Sequence, residues 1–142
     1  MPRGGEVVEY TKLNPTEVEN GEYHIGRFPD QKYKIDCEMY AISPDEMVRQ
    51  LREALSARSQ ELQIEARSSF FGDPRAVFDV KTPNSASSLR IEIAASRSKN
   101  CVHIYLVSNH VSMGSFDKNE IMRIQQGLRQ FLNDFKPQII GQ

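Results

Sequence analysis

Cysteine is scarce in this 142-residue chain. Two residues, Cys37 and Cys101, make no disulfide framework, which points to a reducing intracellular compartment. Long apolar runs are missing too. None approaches the length of about 18 residues that a membrane-spanning helix needs, and the opening "MPRGGEVVEY" lacks the apolar core of a secretory signal. A cytoplasmic location is therefore expected. Charge of one sign is not in excess, with 18 Lys and Arg against 19 Asp and Glu. That argues against a dedicated nucleic-acid binder, though not against a local basic patch. Eight glycines are scattered, without the spacing of a phosphate-binding loop. No G-x-S-x-G nucleophile elbow occurs. The best metal candidates, Cys101 and His103, lie two apart on one strand and lack a third ligand at a usual spacing. No catalytic residue, metal site or cofactor is expected, and the chain is read as a non-enzyme.

Organisation is uneven along the chain. Residues 1–32 hold three prolines and no sustained period, with 4 basic and 6 acidic residues, so a flexible arm or linker is expected. Residues 33–142, with 14 basic and 13 acidic residues, form a single slightly basic domain. "YKIDCEMYA" alternates, which predicts a strand with Tyr33, Ile35, Cys37, Met39 and Ala41 turned inward. "SPDEMVRQLREAL" follows as an amphipathic helix. Ser43 caps it, Pro44 takes the first helical position, Glu46 completes a capping box, and Ile42 can staple to Met47. Met47, Val48, Leu51, Ala54 and Leu55 form its apolar stripe.

Four strand signals come next. "LQIEARSSF" turns Leu62, Ile64 and Ala66 inward and ends at Phe70 and Phe71, before a Gly-Asp-Pro turn. "AVFDV", "LRIEIAA" and "CVHIYLVS" complete the set, joined by the polar loop "TPNSASS" and the turn "SRSKN". The connections are short, so antiparallel neighbours are expected. A last helix spans about Asp117 to Phe135. Asp117 and Glu120 make a second capping box, and Phe116 can staple to Ile121. Gly127 within it weakens the helix by roughly 1 kcal/mol relative to Ala, which suggests that something packs closely there. The fold expected is α+β: strand, helix, four strands, helix, with an antiparallel sheet carrying both helices on one face. The open face would then show Glu38, Tyr40, Glu65, Arg67, Arg90, Glu92, His103 and Tyr105.

The chemistry that remains is a set of cations. Arg49 and Arg52 are spaced i, i+3 on the first helix, and Arg97 and Lys99 share the "SRSKN" turn. Asp45 and Glu53 stand at i, i+4 from Arg49, so ordinary solvated pairs explain the arginines as well as an anionic contact does.

"SPDEMVRQLREAL", "LQIEARSSFF", "LRIEIAASRSKNCVHIYLVS" and "SMGSFDKNEIMRIQQGLRQFL" together resemble kinase-associated domain 1. That is the C-terminal regulatory domain of microtubule-affinity-regulating serine/threonine kinases and, in related form, of the AMP-activated kinase catalytic subunit. The resemblance runs from about Tyr33 to Phe135. It implies membrane targeting through anionic phospholipids, at the inner face of the plasma membrane, or autoinhibition of the protein's own kinase domain. Family members use basic residues on the first helix, which match Arg49 and Arg52 here, and others on the strand into the last helix. That strand, "VHIYLVSN", carries no Lys or Arg, leaving Arg97 and Lys99 as auxiliary cations. Two alternatives belong to other classes. One is a protein-assembly module that docks a partner subunit through the open sheet face. The other is a carrier that encloses a ligand between sheet and last helix.

Overall fold

The structure is a computed structural model that describes residues 8–12, 16–17, 22–25, 31–67, 75–86, 88–108 and 114–138. The elements run β1 (Val8–Lys12), β2 (Thr16–Glu17), β3 (Glu22–Ile25), β4 (Gln31–Asp36), α1 (Pro44–Ala57), α2 (Ser59–Leu62), β5 (Ile64–Ala66), β6 (Arg75–Val80), β7 (Leu89–Ser96), β8 (Cys101–Ser108), β9 (Gly114–Asp117) and α3 (Lys118–Asp134). A six-stranded sheet has the order β1-β4-β8-β7-β6-β5, and a small second sheet the order β2-β3-β9. All pairings are antiparallel. The α+β layout expected from the sequence is present. Within the first 32 residues, the expected arm, three segments pair as strands, and β4 begins at Gln31.

One face of the large sheet carries the core. Cross-strand rows such as Tyr33–Ile104–Ile93–Ala76 and Leu106–Ile91–Phe78 join Met47, Val48, Leu51 and Leu55 of α1 and Ile121, Ile124, Leu128, Phe131 and Leu132 of α3 in one buried cluster. Both helices therefore cover the same face. Among the described residues these side chains form one buried cluster between the sheet and the helices.

Two strands end differently from the alternation. β4 stops at Asp36, because its partner β8 starts at Cys101, opposite Asp36. The chain then enters a 3-10 turn over Cys37–Tyr40, in which the Asp36 carboxylate accepts from the Glu38 N–H, and Ala41 takes a left-handed φ of 55°. Tyr40 is thereby buried and Met39 exposed, the reverse of the alternating expectation, and Glu38 and Tyr40 leave the sheet face. Leu62 belongs to α2, not to a strand. Gln63, at φ 57°, reverses the chain, and β5 begins only at Ile64, leaving Ala66 exposed. Phe70, Phe71 and the glycine of their turn lie outside the described residues.

Both capping boxes form only half of the reciprocal arrangement. Ser43 Oγ accepts from the Glu46 N–H at 3.1 Å, but the Glu46 carboxylate goes to Arg49 and Gln50. Asp117 Oδ1 accepts from Asn119 and Glu120 N–H groups, while Ser85 Oγ, from the β6–β7 loop, receives the Asp117 N–H at 2.9 Å. Ile42 and Met47, the pair expected to staple, both belong to the buried core cluster; the side chain of Phe116 lies outside the described residues. The close packing expected at Gly127 is Leu62, whose Cδ2 would lie 2.7 Å from a Cβ added there. Arg123 completes this contact by donating to the carbonyls of Leu62 (2.6 Å) and Lys81 (3.0 Å).

Candidate functional site

The four cations singled out in the sequence fall along one edge. Asp45, Arg49 and Arg52 are spaced i, i+4, i+7 and share the solvent-facing stripe of α1, over about 10 Å of helix. The turn between β7 and β8 reaches this stripe, where Arg97 makes a two-pronged ion pair with Asp45, both contacts at 3.0 Å. Lys99 is exposed in the same turn. The pairing joins residues 52 apart in sequence, so no local spacing announces it.

The charges on this edge are largely matched. Arg49 is held between Glu46 and Glu53. The hydrogen bond from Arg49, then that from Gln50, brings the Glu46 carboxyl down to about 2, and the bond from Glu46 pushes the Arg49 guanidinium up. Arg52 and Lys99 have no ionic partner among the described residues. Four cations and three carboxylates (Asp45, Glu46, Glu53) leave one net positive charge. Such an edge holds an anionic surface weakly and in a salt-dependent way.

On the flank of α1 beside this edge runs a groove of about 640 Å³. Arg49, Gln50, Glu53 and Ala54 of α1, with Arg58 just past its end, form one wall, and Phe131, Asp134, Phe135, Lys136 and Gln138 the other. The chain after α3 crosses α1 at Gln50, whose side-chain amide donates to the Gln138 carbonyl and accepts from the Gln138 N–H, both at 2.7 Å. Arg58, forked onto Glu61, lies with its guanidinium carbon 5.7 Å from the Phe131 ring centroid. The groove escaped the sequence reading because its walls are 88 residues apart at Gln50 and Gln138. A cation directly after the last apolar residue of the α3 stripe, Lys136 after Phe135, is the one local hint of it.

The open sheet face is a lattice of paired charges. Glu92 sits between Arg75 and Arg90, and Arg67 forks onto Asp79 across β5 and β6. Burial pushes the Glu92 carboxyl up, but the bonds from Arg90 and Arg75 prevail and hold it below its usual value. His103 and Tyr105 lie side by side, ring centroids 5.9 Å apart. Cys101 is buried, with its sulfur 3.9 Å from His103 Nε2, and no group of three metal-ligating side chains occurs among the described residues. Among the described residues no helix is long and apolar enough to cross a membrane. No family model, curated protein or solved structure matches the chain.

Proposed function

We propose that the chain is a non-catalytic regulatory or targeting domain that docks on anionic phospholipid membranes through the α1 edge. The observation that carries this reading is the approach of the β7–β8 turn to α1, marked by the Asp45–Arg97 ion pair, which puts Arg49, Arg52, Arg97 and Lys99 along one edge. The resemblance to kinase-associated domain 1 supports the same reading, since that family uses basic residues of its first helix. By the same resemblance, a kinase domain of the same protein is a further partner for this edge. Guanidinium forks suit phosphate oxygens, and each cation near an anionic leaflet contributes about 1 kcal/mol. Sedimentation with liposomes, with and without phosphatidylserine, tests it. Binding at low salt is expected with phosphatidylserine only, and Arg49→Glu with Arg52→Glu abolishes it. No binding at low salt, or binding indifferent to that double substitution, sinks the idea.

A second reading rests on the open sheet face. Its alternating Arg and Glu pairs, beside His103 and Tyr105, suit a polar protein partner better than a lipid surface. On that reading the chain is an assembly module for a partner subunit. A partner recovered from native extract by the wild type, and lost on Arg67→Glu with Arg75→Glu, is its expected signature; recovery of no partner counts against it.

A further inference from the structure

We propose that the outer edge of β5 pairs antiparallel with β5 of a second copy of this chain, about a two-fold axis at Ala66. The inference concerns the backbone at the sheet's edge and rests on neither reading above.

The hydrogen-bond pattern of β5 turns half of its backbone outward. The Gln63 carbonyl accepts the Lys81 N–H at 2.9 Å, and the Arg67 N–H donates to the Val77 carbonyl at 2.8 Å. Residues that exchange bonds alternate along an antiparallel ladder, so Glu65, opposite Asp79, belongs to the same series. Ile64 and Ala66 lie between these positions and point their N–H and C=O groups away from β6. Among the described residues β5 is the last strand of the large sheet. A space of about 310 Å³ runs along Ile64, Glu65 and Ala66, with Ser56, Ser59 and Gln60 on its other bank. A row of outward donors and acceptors fits the backbone of another strand. The opposite edge strand, β1, shifts register between Glu9 and Thr11, an irregularity that spoils such pairing.

Charge selects the occupant. Glu65 stands directly opposite Asp79, and like charges so placed are unfavourable. Arg67 forks onto Asp79 through Nε and Nη2. Glu65 has no ionic partner among the described residues. An added strand with a cation opposite Glu65 relieves this, and β5 itself is such a strand in one register. Only the outward residues, Ile64 and Ala66, can exchange the new bonds. A two-fold at Ile64 sets Ala66 against Leu62, which belongs to α2. A two-fold at Glu65 sets Glu65 against Glu65 of the second copy. A two-fold at Ala66 sets Glu65 against Arg67 of the second copy, twice, and lets the two Ala66 residues exchange both bonds. Arg67 Nη1, outside the Asp79 fork, is left for the new carboxylate. Ala66 is small and exposed, so the backbones can approach. The pairing uses the same patch on both copies and closes at a dimer. The edge is short, so the dimer is weak and reversible.

Sedimentation equilibrium of the full chain, from roughly 10 μM to 1 mM, tests this. A monomer–dimer equilibrium without larger species is expected. Ala66→Pro removes an outward N–H and leaves the β5–β6 bonds in place; it weakens the dimer by about tenfold or more. Glu65→Lys and Arg67→Glu each set like charges across both contacts, so each alone loses the dimer. An equimolar mixture of the two restores both ion pairs and dimerises as the wild type does. Circular dichroism checks that the variants fold. Where Arg67→Glu, which gives up the Asp79 fork, does not, the wild type, Ala66→Pro and Glu65→Lys decide. A wild type that stays monomeric throughout overturns the proposal. So does a dimer indifferent to Ala66→Pro or to Glu65→Lys, or a mixture of folded variants that associates no better than its components.

Discussion

At the scale of single residues, Glu120 is the one buried carboxylate among the described residues. Its oxygens accept the Asn84 N–H at 3.0 Å and the Ser85 hydroxyl, and Ser85 Oγ in turn accepts the Asp117 N–H. One serine therefore ties the β6–β7 loop to the start of α3. Ser85→Ala leaves a buried carboxylate short of a donor and an amide short of an acceptor, an imbalance that costs about 1–3 kcal/mol. Urea denaturation should show that loss, and Ser85→Thr, which keeps the hydroxyl, should lose less. Cys37 makes a second prediction. Burial, then Cys101 and Asp36, pushes its thiol from 9.0 to about 12. Because the folded value is raised, the folded chain holds the proton longer. The stabilising effect is complete below about pH 9 and is lost as pH rises toward 12. Urea midpoints measured at increasing alkaline pH should fall, and Cys37→Ala should flatten that fall.

At the scale of elements, α1 and α3 were legible because their signals are local: a cap, an apolar stripe, and Pro44 at the first helical position. The ends of β4 and β5 were not. Whether Cys37 continues a strand depends on whether β8 still lies opposite, a fact fixed 64 residues away at Cys101. "LQIEA" fits a strand alternation, yet Leu62 is buried from α2, where it reaches α3 at Gly127. The glycine was legible as an anomaly, but the residue causing it was not. A double-mutant cycle tests this contact. Gly127→Ala gains roughly 1 kcal/mol of helix propensity. Against Leu62 it forces one terminal methyl, Cδ2, to move, which offsets part of that gain. Chemical denaturation should show a smaller gain in the wild-type background than in a Leu62→Ala background. An equal gain in both backgrounds would remove Leu62 as the reason for the glycine.

At the scale of the whole molecule, the cations of the candidate site could be named from sequence, but their state could not. The i, i+3 spacing of Arg49 and Arg52 is local, whereas the partner of Arg97 is Asp45, across the fold. This partnership marks where the β7–β8 turn meets α1, and it cancels part of the charge there. The consequence runs against the usual expectation that removing a salt bridge weakens a site. Asp45→Asn with Glu53→Gln takes two negative charges from the edge, the Asp45 carboxylate beside Arg97 among them, while Arg49 keeps Glu46. The pairs are exposed, so the stability lost is small, about 0–1 kcal/mol for each. The net charge of the edge rises from one positive to three. At about 1 kcal/mol per cation near an anionic leaflet, binding to phosphatidylserine vesicles should tighten by roughly an order of magnitude or more and become more sensitive to salt. Sedimentation at two ionic strengths reads both effects. If the double variant binds no better than the wild type, the edge is a solvated surface whose arginines serve only their own carboxylates.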